Sequence, residues 1–331
     1  MRPFKYFNSD SIATIFGGFN RKKNAPVGGM EFLAGGTNLV DLMKKHVRQP
    51  DALLNLSGLL DERIETTGRG LRIGAMARNT AVATDPTVLE AYPLLAQAIL
   101  SGASPQIRNM ASTGGNLLQR TRCPYFYDTA LPCNKREPGT GCGAFDGNNR
   151  IAAIVGYSEN CVAVHPSDMS VALAALEAEV EISDNGNIQK IPFREFHRLP
   201  GDRPEQDTNL PPGAMITAIH LPPNNFQKNS HYLKLRERDS YAFALVSVAA
   251  ALELRKGRIR QARLASGGVA HKPWRWYEAE DFLKRKKPSP EVFARAAEIV
   301  VSETRPLPDN GFKVALLRGG VETALQACVR G

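Results

Sequence analysis

Ala34-Gly35-Gly36-Thr37-Asn38-Leu39 sets two glycines between a strand expected over 31–34 and a segment with helical spacing. In that segment Leu39, Leu42 and Met43 share one face, and Asp41, Lys44 and Lys45 share the other. Strand, tight turn and helix follow one another, as in an α/β unit. Glycines let the backbone approach a ligand closely and adopt positive φ. Free N–H groups at a helix start suit a pyrophosphate, and Thr37 and Asn38 add donors. The pattern is not G-x-G-x-x-G and lacks the Lys-Ser/Thr of a P-loop. Ser112-Thr113-Gly114-Gly115-Asn116 offers the same chemistry further along. One such turn reads equally as a plain turn. Two, each in its own α/β unit, can grip the two sides of one extended dinucleotide.

Outward from these turns, the first unit spans 1–57, with a helix expected over 9–19 and a strand over 52–56. The second spans 58–222. Its expected elements are a strand at 71–75, a helix capped by Asn79 or Thr80, and a helix over 92–99. Strands at 160–164 and 179–182 flank an Ala-rich helix that follows Pro166-Ser167-Asp168 and runs to Leu176. The polar, Pro-rich stretch 200–212 reads as a linker or surface loop, and 214–221 as a strand. The last unit, 223–331, is expected to hold strands at 231–236 and 259–265 and helices at 242–252, 289–302 and 313–330. The fold class is α+β: two α/β subdomains, then an α+β domain with an antiparallel sheet and helices.

The chain has 331 residues, 43% hydrophobic and 23% charged, enough for two or three domains with sizeable cores. Collagen, coiled coil and wholesale disorder do not fit this balance. No apolar run approaches the ~20 residues of a membrane span. The net charge of +9 is spread along the chain, with short clusters at Arg21-Lys22-Lys23 and Lys284-Arg285-Lys286-Lys287. So diffuse a charge reads as solvated faces or contact with an acidic partner subunit, not as a nucleic-acid surface. Residues 1–7 contain no apolar signal core and no twin arginine, so cytoplasmic residence is expected unless a partner carries the chain out.

Four of the five cysteines are Cys123, Cys133, Cys142 and Cys161, spaced C-x9-C-x8-C-x18-C. They fall in or just after a stretch, 119–149, that is rich in Pro, Gly and Arg and has no sustained periodicity. Four thiolates suffice for one 4Fe–4S cluster, and Arg120, Arg122, Lys135 and Arg136 would offset its negative charge. Tetrahedral zinc and two disulfides are the other readings of the same set. Cys328, on a helical stretch, reads as a small buried hydrophobe. The six histidines form no ligand set in sequence, and no nucleophile elbow or H-E-x-x-H is present. Trp274 and Trp276 read as core packing or a subunit contact.

The chain resembles the FAD-binding subunits of the molybdenum hydroxylases, the xanthine dehydrogenase and carbon monoxide dehydrogenase family. The resemblance is carried by Phe32-Leu33 running into the first turn, by Ile107-Arg108-Asn109-Met110-Ala111 running into the second, and by His165-Pro166-Ser167-Asp168. The stretch from Tyr241 to Ala251 and the stretch from Gly267 to Arg275 complete it. It implies FAD between the two α/β subdomains. Leu33, Ala34, Gly35, Gly36, Thr37, Asn38 and Leu39 would hold the pyrophosphate, and Ser112, Thr113, Gly114, Gly115 and Asn116 would continue that grip. Gly102 would leave room for the cofactor or else cap a helix. Asp168 would bind near the ribose and adenine, cap a helix, or both, and Ile216 or Thr217 would pack near the cofactor. Lys234 would stand near the flavin and favour its anionic reduced form, or else be a solvated strand residue. His165 would touch the cofactor or serve structure.

Within the family, the segment around 119–161 resembles that of bacterial aldehyde oxidoreductase flavin subunits with an additional 4Fe–4S cluster. That implies metal ligation by Cys123, Cys133, Cys142 and Cys161. It also implies a large partner with a molybdenum cofactor, a small partner with 2Fe–2S clusters and an external electron acceptor. A signal on the small partner would co-export the assembly to the periplasm. 4-Hydroxybenzoyl-CoA reductase flavin subunits are the related alternative, and a zinc-stabilised binding module the non-enzymatic one.

Overall fold

The computed structural model describes residues 1–8 and 29–330. The helix expected over 9–19 and the basic cluster at 21–23 lie outside the described residues. Three sheets follow one another along the chain. The first is parallel, in the order β1 (Lys5–Phe7), β3 (Ala52–Asn55), β2 (Met30–Leu33), with α1 (Leu39–Lys44) crossing from β2 to β3. Leu42 and Met43 form the buried face of α1, as the spacing requires.

The second sheet is antiparallel, in the order β4 (Ile64–Thr67), β5 (Gly70–Gly74), β8 (Met215–Leu221), β6 (Glu179–Asp184), β7 (Asn187–Pro192). Between β5 and β6 run α2 (Asn79–Thr84), α3 (Pro86–Ala91), α4 (Pro93–Ser101), α5 (Pro105–Met110) and α6 (Thr113–Leu117). The short α7 (Pro124–Tyr127) and α8 (Gly143–Asp146) and then α9 (Asp168–Ala175) complete that run, and α10 (Phe193–Phe196) follows β7. Asp85 and Ser104 cap α3 and α5 by accepting backbone N–H bonds, each with proline in the first turn. Asn79 does not cap: it is the first residue of α2, buried, with its side chain turned to Asn116. Residues 160–164 form no strand; only a single bridge joins Ser158 and Cys161 there.

The third sheet is antiparallel, in the order β12 (Trp274–Arg275), β11 (Arg258–Gly267), β10 (Val246–Arg255), β9 (Ser230–Leu235). It is backed by α11 (Tyr277–Leu283), α12 (Pro290–Ser302) and α13 (Phe312–Arg330). The helix expected over 242–252 is instead β10. Its alanines read as helical by propensity, but Ala249 and Ala251 join the core of the second sheet. Val246, Val248, Ala250 and Leu252 join the core under the helices. Burial on both faces at period two selects a strand, and small side chains let both layers approach. In α12, Phe293, Ala296, Ala297 and Val300 give the helical stripe of that second core. Trp276 is fully buried there and donates from Nε1 to Ser266 Oγ at 2.9 Å.

Candidate functional site: a cleft beside a cysteine cavity

A cleft of about 550 Å³ opens between the β2–α1 turn, the helices and loops of residues 79–168, and the third sheet at Ser247 and Gly267. Thr37 and Asn38 line it from the β2–α1 turn, Gly115 and Asn116 from α6, and Gly102 and Asp168 from α4 and α9. The two glycine turns thus meet across one space. Asn38 Oδ1 accepts the Arg120 backbone N–H at 3.0 Å, while its buried Nδ2, beside the Tyr127 hydroxyl, makes no hydrogen bond of ordinary geometry. Such an under-satisfied donor in a residue of the cleft wall fits an anionic guest. Asn116 Nδ2 donates to Asn79 Oδ1 at 2.8 Å, and its Oδ1 accepts from Ser167 Oγ at 2.6 Å.

The remaining turn residues shape the cleft from behind. Leu33, Ala34 and Leu39 are half-buried beside it. A Cβ on Gly35 would overlap the Met110 carbonyl oxygen, so this glycine lets the two turns touch. Gly36 has φ +72°, and a Cβ there would face Val40 and Leu33 inside the subdomain. The glycine that looked like ligand space is therefore a backbone requirement. Ser112 caps α6, accepting Gly115 N–H at 3.2 Å. Thr113 Oγ1 donates to Ala77 O at 2.9 Å, and Gly114 packs against Ala75.

Asp168 is not the cap of α9; Ser167 is, accepting Ser170 N–H at 3.0 Å. The carboxylate instead receives Tyr232 O–H at 2.7 Å and Lys234 Nζ at 2.8 Å. Burial, reinforced by the Asp168 charge, pushes the Tyr232 phenol well above its ordinary range. Lys234 is neither solvated nor on the cleft wall: it forms a buried ion pair and also donates to Ser101 O at 3.0 Å. Gly102 closes α4, and a Cβ there would stand 3.1 Å from Asp168 Oδ2. Ile216 lies in the core of the second sheet, and Thr217 bonds Glu181 Oε1 at 2.8 Å. Neither lines the cleft.

Behind the cleft, Cys123, Cys133, Cys142 and Cys161 line a second, small cavity together with Lys135. All four are free thiols. Cys123 starts α7, Cys142 starts α8, and a backbone bridge joins Cys133 to Cys142. The loop is tied by polar bonds in place of a large core. Arg136 donates to the carbonyls of Tyr125 (2.6 Å), Phe126 (3.0 Å) and Leu131. Asn134 Oδ1 accepts Gly139 and Gly141 N–H, and its Nδ2 reaches Asn160 O. Burial pushes the Cys123 thiol up to about 11 and the Cys161 thiol up to about 12, with Lys135 pulling Cys161 the other way. Such thiols ionise when a metal centre compensates the charge, so the donor set fits one. Among the described residues no three His, Cys, Asp or Glu side chains converge as a site for a single ion. Thr121, Cys123 and Ala163 belong to the walls of both cavities.

Residues 2–224 match the family described as the FAD binding domain in molybdopterin dehydrogenase, and residues 231–318 match the CO dehydrogenase flavoprotein C-terminal domain. The chain belongs to the FAD-binding subunits of the molybdenum hydroxylases. It is 47% identical over 302 residues to the aldehyde oxidoreductase FAD-binding subunit PaoB of Escherichia coli K12, covering 90% of this chain and 91% of that protein. It is 26% identical to the glyceraldehyde dehydrogenase medium chain of Sulfolobus acidocaldarius, covering 84% and 82%. The fold is that of the carbon monoxide dehydrogenase structure from Hydrogenophaga pseudoflava (TM-score 0.76, 22% identity, 100% and 99% covered). It is equally that of quinoline 2-oxidoreductase from Pseudomonas putida 86 (TM-score 0.75, 21% identity, 100% and 98% covered).

In this flavin subunit of an oxidoreductase, Asp207, His197 and His271 stand near the site and carry no sequence signal, whereas His165 and Arg122 are legible from the sequence. Asp207 sits in the stretch that reads as a linker, yet it anchors Arg120 and Lys135. Burial opposes its ionisation, but the two cations outweigh that and hold its carboxyl well below the usual range. His165, which lines the cleft, packs against the His197 ring, the two tilted by 54° with centres 4.4 Å apart. Burial lowers His197 and His271 to about 4 and holds His165 well below its ordinary range. Arg122 joins three units: it pairs with Asp41 at 2.5 Å and lies over the rings of Tyr127 and Phe243.

Proposed function

We propose that this chain is the electron-transfer subunit of a heterotrimeric, molybdenum-dependent aldehyde oxidoreductase. FAD would lie in the cleft and a 4Fe–4S cluster on Cys123, Cys133, Cys142 and Cys161. The observation that carries this reading is the shared wall: Cys123 borders both the cleft and the cysteine cavity. The aldehyde follows from likeness to the Escherichia coli subunit named above. When bound, FAD exchanges electrons singly or in pairs and a cluster exchanges them singly.

The chain's own part is position and charge. Asn38 would offer its Nδ2 to the pyrophosphate, and Gly115 and Asn116 would close on it from the opposite wall, the N–H groups of that helix start being already bonded to Ala77 O, Ala75 O and Ser112. Thr121 and Ala163, with Cys123, keep the two sites in contact, and the apolar insert residues around the thiols exclude water. Four cysteines lining one cavity are the number of thiolate ligands that a 4Fe–4S cluster takes. A large molybdenum subunit and a small 2Fe–2S subunit would supply the electrons, and an external acceptor would remove them. The assembly would reach the periplasm by co-export.

Cys133→Ser in the purified full chain tests the division of labour. The expected result is loss of iron with flavin largely retained. Loss of flavin with iron retained would contradict it.

A further inference from the structure

Four cationic side chains lie in or beside the cysteine loop, and three are committed elsewhere. Arg122 pairs with Asp41 and lies between the rings of Tyr127 and Phe243. Arg136 is spent on backbone carbonyls. Arg120 pairs with Asp207 and lies 5.0 Å over the Phe126 ring. Lys135 differs. Its side chain is 1% exposed, and it lines the cysteine cavity itself. Its ammonium donates to Pro204 O at 2.7 Å and to Asp207 Oδ1.

Asp207 is therefore shared by two cations, with His271 Nε2 3.6 Å away. His271 is neutral at pH 7 because burial, aided by Lys135, lowers it. Arg120, Lys135 and Asp207 together bring one net positive charge to the back of the thiol site. Burying a lysine costs more than a methionine of similar volume would, so packing alone gives no reason for it here. A fixed cation beside a centre that becomes more negative on reduction stabilises the reduced state.

We propose that Lys135, held in place by Asp207, is a potential-setting residue for the cysteine-bound centre, raising its midpoint potential. This rests on the cluster reading above. The step is a one-electron reduction: one electron enters from the flavin or a chemical reductant, and no bond forms or breaks.

The test is an EPR-monitored redox titration with dithionite on the purified full-length chain, with iron quantified on each sample. Lys135→Met is expected to keep iron and shift the cluster midpoint to a more negative value. Asp207→Asn, which removes the opposing charge, is expected to shift it the other way, and the flavin midpoint should move less in both. Lys135→Met with iron bound and an unmoved or raised midpoint would overturn the inference. If Lys135→Met loses iron, an unmoved or lowered midpoint in Asp207→Asn overturns it. Iron lost from both variants would make the pair scaffold only and overturn it as well. Wild-type chain without iron would overturn the cluster reading and this inference with it, which separates the two failures.

Discussion

Asn38 shows how a single side chain can be tuned to a guest. Its oxygen is fixed by the Arg120 N–H and its buried amide nitrogen makes no hydrogen bond of ordinary geometry. Asn38→Asp keeps the first bond and replaces the under-satisfied donor with a negative oxygen. Losing a bond to a charged group costs ~1.5–3 kcal/mol, so FAD affinity should fall about 10- to 100-fold. Fluorescence titration of the flavin-stripped chain reads this directly, and unchanged affinity would remove Asn38 from the pyrophosphate site. The buried histidines make a pH prediction. His197 and His271 titrate near 4 when folded, against ~6.5 in an unfolded chain. Between those values the unfolded chain binds protons that the folded chain does not. Their stabilisation is fully present above pH ~6.5 and is lost as pH falls through that window towards ~4. The urea midpoint should therefore decline from pH 7 to 4.5, less steeply in His197→Gln, whose amide can still reach Leu117 O. A flat profile would contradict the burial account. Asn38 is legible in sequence as a donor in the first turn but its bonding is not, and His197 and His271 converge only in three dimensions.

At the level of elements, the two glycine turns were legible because strand, glycines and helix follow in order. Their roles were not, because what a missing Cβ makes room for depends on what stands opposite. Gly35 admits the Met110 carbonyl of α5 and so brings the β2–α1 turn against the start of α6. Gly35→Ala should destabilise the chain by ~1–3 kcal/mol through overpacking and also release flavin, because it parts the two walls. Gly311→Ala, which meets open space, should do neither. Differential scanning calorimetry with flavin quantification distinguishes the pair, and equal behaviour would contradict the close approach. The strand β10 shows the opposite limit. An alanine-rich run is helical by local propensity, yet two cores compete for its alternate faces and the sheet wins. The stretch 160–164 differs in the other direction: it has strand-forming residues, yet its backbone is tied singly, to Ser158, to Ala153 N–H and, through His165 N–H, to Ala270 O.

For the whole molecule, three units in chain order each give one wall to the cleft, and the cysteine loop fills the space behind it. The α+β class and the order of units could be read from the sequence. The contact between loop and cleft could not, since it depends on long-range ties such as Arg122 to Asp41 and Lys135 to Asp207. That contact is what would let one chain carry two redox centres, as proposed above. The decisive measurement is the absorption spectrum of the purified chain with iron, zinc and flavin quantified on the same sample. The account predicts flavin bands over a broad iron–sulfur shoulder, with about four irons and one FAD per chain and no zinc. Flavin with zinc, or flavin with neither metal, would contradict the assignment of the four cysteines.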